Sequence, residues 1–384
     1  MKFTCEAKAF SAALAFAGRV IPTKTPWPIL SCLKIVTNDS RITLIGSNAD
    51  VTFEMQVSAA VLTEGVTCLP FDPLSKFVAA AKGGTVEVEE TPAGIVVKSG
   101  RGRIVLSASD VRDYPNYTAP EGDAALIDGP TLRKALSFAV AAASTEEVKY
   151  YLCGANVRQR DGALEICGTD GHGMHLASIA DGPDIGAGGI LPTEAVGIIV
   201  GLLDKCETAH LYICERGWHV VAGPIRAFGK VIDGQFPDVH RVLDGMDAQG
   251  GWQSAVVGKR DDIVAAITVA SCGADTTANK ARSLVIRGTE GQPVIARGWK
   301  GTSGVITAGR AEMEARAACT FSGVINASLL SRAIGGIDGD DLAIQMNAAS
   351  GAFRVDPAQG SATMTMLAVI MGIRASEAEM ADAA

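Results

Sequence analysis

The sequence predicts an α+β protein of three repeated domains, each with two helices packed on antiparallel sheet. Three observations predict it. A short strand followed by an Ala-rich stretch with apolar residues at helical spacing occurs at Lys2 to Val20, Leu126 to Ala143 and Val256 to Cys272. A strand, a Gly-[Ser/Thr]-[Asn/Asp/Glu] turn and a second strand lie downstream of each, at Leu44 to Val57, Leu164 to Ile179 and Leu284 to Trp299. A further strand and helix follow in CLPFDPLSKFVAAAKGG, GILPTEAVGIIVGLLDK and GVINASLLSRAIGGID.

The elements are justified in order. Each first helix begins on a polar or acidic residue and carries an apolar stripe for the sheet. Pro70, Pro192 and Asn326 stand near the starts of the second helices, where capping and first-turn chemistry favour them; Gly83, Gly335 and Gly336 stand near ends. Strands close each domain. Two punctuations, DVRDYPN at Asp110 and DGQFPDVHRVL at Asp233, pair an acidic residue with an aromatic-Pro step that stops ladder pairing. The second is followed by a Gly-rich gap from Gly245 to Gly251. Boundaries are expected near Gly122 and Met246, giving domains 1–122, 123–246 and 247–384, with a disordered acidic tail at 375–384.

Composition narrows the class. Hydrophobic residues are 48% and charged residues 20%, so a folded core is within reach throughout; aromatics are 5%, so the cores are expected to be aliphatic. No run is long and apolar enough to span a bilayer, and the N-terminus lacks a signal-peptide pattern, so a cytoplasmic protein is expected. Nine scattered cysteines without a CxxC pair suit buried thiols in a reducing compartment. The net charge of −8 argues against generic nucleic-acid affinity, yet an acidic exterior with a local basic surface gives the same sum. Basic residues recur on or beside the helices: Lys8, Arg19, Lys24, Lys76 and Lys82, then Arg133, Lys134, Lys149 and Lys205, then Lys259, Arg260, Lys280, Arg282 and Arg332. They read equally as a solvated face or as a surface toward phosphates.

The residues admit two enzyme readings. Cys167, Asp170, His172 and His175 could form a metal-dependent hydrolase site, but they flank one turn and lack a well-spaced fourth ligand. No GxxxxGK[ST] loop occurs, which argues against ATP use. Neither a catalyst nor a cofactor is expected.

With these words together, the chain resembles the bacterial DNA polymerase III β subunit, the sliding clamp. The words are MKFT at Met1, PIL at Pro28, SGRGR at Ser99, VKYYLCG at Val148, GTDGH at Gly168 and DGQFPDVHRVL at Asp233. The resemblance implies a DNA clamp fold closing as a head-to-tail dimeric ring. Such a ring encircles double-stranded DNA without reading sequence and tethers the replicative polymerase for processive synthesis. Partners would be the DNA polymerase III alpha subunit, the clamp loader and other proteins with a clamp-binding motif. A divergent or mobile-element paralogue with altered partners is the alternative.

The resemblance also implies site residues. DNA contacts fall on Lys24, Tyr150 and Tyr151, the tyrosines at a strand start. A peptide pocket between domains two and three falls on Lys149, Tyr151, Leu152, Thr169, Gly171, His172, Met174, Pro237, Arg241 and Val242. Val369 and Met371 complete it if Met371-Gly-Ile-Arg374 is the C-terminal pocket segment; an ungapped reading would use Leu367. The dimer joint falls on Arg101, Arg103 and Leu106 against Ser271 and Cys272. Glu146, Asp72 and Thr193-Glu194 stand where neutral or basic residues would favour DNA, which predicts a less positive channel.

Overall fold

One five-element run, strand-helix-strand-strand-strand, occurs six times among the described residues of the computed structural model, which are 1–81, 84–272, 283–298, 309–361 and 363–373. Expectations for Lys82, Gly83, Lys280, Arg282, Trp299, Arg374 and the tail at 375–384 lie outside them. The first run is β1 (Lys2–Glu6), α1 (Ala7–Ala17), β2 (Cys32–Asn38), β3 (Arg41–Ser47) and β4 (Val51–Thr63). The second is β5 (Gly65–Pro70), α2 (Phe71–Ala80), β6 (Thr85–Thr91), β7 (Gly94–Ser99) and β8 (Gly102–Leu106). The third is β9 (Ala125–Asp128), α3 (Gly129–Val140), β10 (Gly154–Arg160), β11 (Ala163–Thr169) and β12 (Gly173–Ile179). The fourth is β13 (Gly189–Pro192), α4 (Thr193–Leu203), β14 (Thr208–Cys214), β15 (Gly217–Ala222) and β16 (Ile225–Gly229). A short helix, α5 (Val239–Ala248), precedes the fifth: β17 (Gln253–Lys259), α6 (Arg260–Ser271), β18 (Ser283–Gly288), β19 (Pro293–Gly298) and β20 (Arg310–Arg316). The sixth is β21 (Phe321–Asn326), α7 (Ala327–Gly336), β22 (Asp341–Met346), β23 (Phe353–Pro357) and β24 (Met364–Ile370).

Consecutive runs exchange their first strands. β1 pairs with β6 while β5 pairs with β2. β9 pairs with β14 while β13 pairs with β10. β17 pairs with β22 while β21 pairs with β18. The smallest repeat is therefore half the length of the expected domain. The boundary expected near Gly122 falls in the loop between β8 and β9; Met246 falls inside α5.

By contact, the chain forms two compact units. One comprises Met1–Arg133, Asp184–Gly189 and Gly197–Val231; the other comprises Lys134–Pro183, Ile190–Val196 and Ile232–Ala384. The first holds a 12-stranded sheet running β8-β7-β6-β1-β4-β16-β15-β14-β9, with β2, β3 and β5 branching from it. The second holds an 8-stranded sheet, β13-β10-β11-β12-β24-β23-β22-β17, and a 4-stranded sheet, β20-β19-β18-β21.

Alternation in the strands buries one face, as in β3 and β6. In the first unit α1 packs on α2 and lays Phe10, Leu14 and Phe16 against the sheet, where Phe16 meets Phe53 edge to face at 5.6 Å. In the second, α6 packs on α7. Asn326 caps α7 by accepting from the N–H groups of Ser328 and Leu329. The three Gly-[Ser/Thr]-[Asn/Asp/Glu] words do lie at strand-to-strand turns: β3 to β4, β11 to β12 and β18 to β19.

Two local expectations change. The glycines at 245 and 250–251 do not mark one open gap: Gly245 is within α5, whose start is fixed by the Asp238 carboxylate accepting from His240 and Arg241 N–H. Tyr150 and Tyr151 are not at a strand start but in a 3-10 turn, Glu147–Leu152, broken by non-helical φ and ψ at Lys149.

Candidate functional site

The turn from β11 to β12 is built by its own side chains. Thr169 Oγ1 donates to the Gly173 carbonyl at 2.7 Å and accepts the Gly171 N–H at 3.1 Å. The Asp170 carboxylate accepts the N–H groups of His172 and Gly173, each at 2.8 Å. Gly171 has φ of +88°, a conformation that side-chain-bearing residues resist. The word GTDGH is thus a turn specification. It leaves Gly171 and His172 exposed while Met174 turns inward.

β24 pairs with β12 and sets Val369 opposite Met174. α5 comes up beside them. Its Val239 joins Met174, Leu176, Cys167, Met246, Ala352 and Val369 in one buried cluster, with Phe236, Leu243, Trp252 and Leu367 packed around it. A pocket of about 160 Å³ opens over this cluster, lined by Leu152, Thr169, Gly171, His172, Gly173, Met174, Pro237, Val239, Val242, Val369 and Met371. It is smaller than the roughly 300–1,000 Å³ of a cofactor cleft, and its apolar lining suits one or two hydrophobic side chains.

Most residues expected at a peptide pocket therefore meet in one place. Lys149, Tyr151 and Arg241 do not line it. Lys149 Nζ pairs with Glu146 at 3.1 Å. Arg241 is exposed on α5. Tyr151 packs edge to face on Tyr150 at 5.7 Å and covers Gly234, where an added Cβ would lie 2.8 Å from the Tyr151 Cβ. That contact explains the glycine of DGQFPD. Gly173 and Val239 were missed. Val239 was findable: Asp238 followed by apolar residues at 239, 242 and 243 is a helix-start signal.

The other expected residues take these places. Lys24 is exposed in the loop after α1, in the first unit; Tyr150 is 54% exposed in the second. Arg101 and Arg103 are exposed at or beside β8, an edge strand, but Leu106 is buried, and the outward apolar residue there is Val105. Cys272 is exposed just beyond α6; Ser271 is its half-buried last residue and donates to the Ile267 carbonyl at 2.6 Å.

Nothing supports the hydrolase reading. Cys167 is buried, and burial pushes its thiol well up, away from thiolate. His175 is buried, stacks on Phe138 at 4.5 Å and gives Nδ1–H to the Phe138 carbonyl at 2.8 Å, with burial holding its pKa down to about 4. Among the described residues, no three His, Cys, Asp or Glu side chains are grouped to hold a metal.

Six strand-helix runs that exchange their first strands in consecutive pairs, with an apolar pocket over Met174, define a DNA clamp. The comparisons agree. The fold matches the crystal structure of the beta subunit from DNA polymerase of Streptococcus pyogenes with a TM-score of 0.87, at 20% identity, over 98% of this chain and 100% of that one. It matches Caulobacter crescentus pol III beta with a TM-score of 0.84, at 24% identity, over 98% and 100%. In sequence, the beta sliding clamp of Treponema pallidum is 26% identical over 250 residues, 63% of this chain and 67% of that protein. The beta sliding clamp of Pseudomonas aeruginosa is 26% identical over 286 residues, 68% and 72%. Residues 1–118 match the DNA polymerase III beta subunit, N-terminal domain, and residues 127–238 match its central domain. The chain belongs to the DNA polymerase III beta subunit family, the beta sliding clamps, which are non-catalytic processivity factors.

Proposed function

We propose that two copies of this chain close head to tail around duplex DNA and tether the replicative polymerase, holding partners by short peptides in the pocket over Met174. One observation carries the closure. The last strand of one run pairs with the last strand of another at two joints inside the chain: β4 with β16, and β12 with β24. The same pairing logic leaves β8 and β20, each at the end of its sheet. Pairing β8 of one copy with β20 of the next repeats the joint and satisfies two open edges. Applied twice, it closes rather than propagates. Arg101, Arg103, Ser271 and Cys272 would flank that joint.

DNA would be held without base readout. Lys8, Arg19, Lys24, Lys205 and Lys259 have no acidic partner among the described residues, and Tyr150 offers an exposed ring beside Lys149. Several other cations are locally neutralised: Lys76 by Asp72 at 2.8 Å, Arg133 by Asp204 at 2.8 Å, Lys149 by Glu146 at 3.1 Å. Such exposed pairs add little stability but lower the local potential. They support a weak grip on phosphates, with retention resting on topology, and they are the feature that favours the second reading, a divergent clamp with altered partners. The DNA polymerase III alpha subunit and a clamp loader are the proposed partners, in the cytoplasm. Among the described residues no helix is long and apolar enough to cross a membrane.

Retention on nicked circular DNA tests this. A loaded ring stays on the circle through a salt wash and leaves when the circle is linearised. Retention that ignores DNA ends, or no retention with a loader present, overturns the proposal.

A further inference from the structure

Glu165 lies on β11 with only 6% of its surface exposed. A buried carboxylate is costly unless paired and hydrogen-bonded. Two groups hold it. Arg158, its direct cross-strand partner on β10, gives Nε at 3.2 Å. His240 on α5 places Nε2 2.8 Å from one carboxylate oxygen and 3.0 Å from the other.

The position of that contact matters more than its strength. α5 supplies one wall of the pocket through Val239 and Val242, with Pro237 just before it. β11 ends in Thr169 and leads into Met174 on the other wall. Glu165 shares a face of β11 with pocket-lining Thr169, and its bond to His240 ties the two walls together. α5 needs such a tie. It has ten residues, too few to persist alone, and its buried side chains are Val239 and Met246. Its far end is held by buried Asn347, whose Nδ2 donates to the carbonyls of Met246 at 2.8 Å and Gly251 at 2.9 Å. His240 is the matching anchor at the near end, one residue from the pocket.

We propose that His240, through Glu165, is a positioning residue that sets the spacing between α5 and the β11–β12 turn, and with it the affinity of the pocket for an apolar peptide. This rests on the pocket reading given under the proposed function. Helix propensity alone predicts the opposite sign for one variant, because Ala is a better helix former than His.

The test uses the full chain and a fluorescein-labelled short peptide with adjacent leucine and phenylalanine, read by anisotropy. His240→Ala is expected to bind about tenfold more weakly, the loss of one charge-assisted hydrogen bond. His240→Gln, which keeps a donor near the Nε2 position, is expected to recover binding to within about threefold, under half the energy of that bond. Glu165→Gln removes the charge at constant size and tests the bond from its other side, whether or not His240→Ala folds. Parental affinity in Glu165→Gln or His240→Ala overturns the proposal, as does a His240→Gln protein as weak as His240→Ala. Met174→Lys, run alongside, should abolish binding; if it does not, the pocket reading itself fails, which is a separate outcome.

Discussion

The main-chain N–H of Met371 donates to the carbonyl of His172 at 2.8 Å, locking the chain just past β24 to the turn before β12. The bond fixes register. With Ile370 opposite Gly173 and Val369 opposite Met174, Val369 faces the pocket; a slip of one residue would turn it to the other face of the sheet. Leu367, the ungapped alternative, pairs with Leu176 and packs against the buried cluster without lining the pocket.

Val242 gives a clean probe of the pocket because it lines the cavity yet is 47% exposed. Val242→Asp places a charge on the wall without burying it in the core. Peptide affinity should fall at least about tenfold, since the charge meets an apolar anchor, while the melting temperature stays nearly unchanged. Equal peptide affinity in the variant and the parent would exclude this cavity as the docking site.

Asp238 caps α5 through bonds to His240 N–H at 3.2 Å and Arg241 N–H at 3.4 Å. Asp238→Ala should destabilise the helix by about 1 kcal/mol, seen as faster amide exchange across α5 and not elsewhere. Weaker peptide binding should accompany it. Uniform exchange changes across the chain would instead indicate a global effect.

The repeats were legible because hydrophobic periodicity and turn words are local. The Gly-[Ser/Thr]-[Asn/Asp/Glu] turns were found from that word set between alternating apolar strands, and Asn326 was correctly placed at a helix start. The exchange of first strands was not legible. The pairing of β1 with β6 joins residues such as Lys2 and Glu89, and nothing in either segment names the other. Helix α5 was hidden by Gly245 and its neighbours, which read as a loop although Asp238 signalled the start. At the site, Leu152, Thr169, Met174 and Val242 were reached by family resemblance. Lys149 and Arg241 were carried over the same way, yet Lys149 pairs with Glu146 and Arg241 stays exposed off the lining, because a motif fixes where the backbone goes more firmly than where a long charged side chain points.

Gly168 and Gly171 separate two reasons for glycine. A Cβ at Gly168 would stand 1.9 Å from the Ala139 carbonyl oxygen, and the backbone there must move to admit it. At Gly171 the same atom would meet nothing within 4 Å, and only φ of +88° resists it. Gly168→Ala should therefore cost about 3 kcal/mol, whereas Gly171→Ala should cost about 1 kcal/mol. Chemical denaturation of the two variants side by side checks the order; a reversed order would contradict the packing of β11 described above.

Val105 projects from one face of β8, the strand at the open end of its sheet, at 44% exposure. If β8 joins β20 of a second copy, Val105→Asp puts an uncompensated charge at the joint. Sedimentation should then show the 39.7 kDa chain as a monomer at concentrations where the parent is a dimer. A variant that remains dimeric to the same dilution would place the joint elsewhere.

His175 makes stability depend on pH in a defined direction. Burial holds its pKa at about 4, Arg332 pushes the same way, and the bond to the Phe138 carbonyl and the charge of Asp170 pull back. In the unfolded chain the imidazole returns to about 6.5. The folded protein therefore keeps His175 neutral in a range where the unfolded chain takes up a proton. The contribution is fully present above about pH 6.5, is lost as pH falls toward about 4, and does not return below that. At pH 5 the expected loss relative to neutral pH is about 2 kcal/mol from this group. His175→Gln removes the titration, so its stability, though lower at neutral pH, should decline less between pH 7 and pH 5 than that of the parent. Urea midpoints of the two proteins at both pH values give the comparison, and parallel declines would show that the buried imidazole is not what titrates.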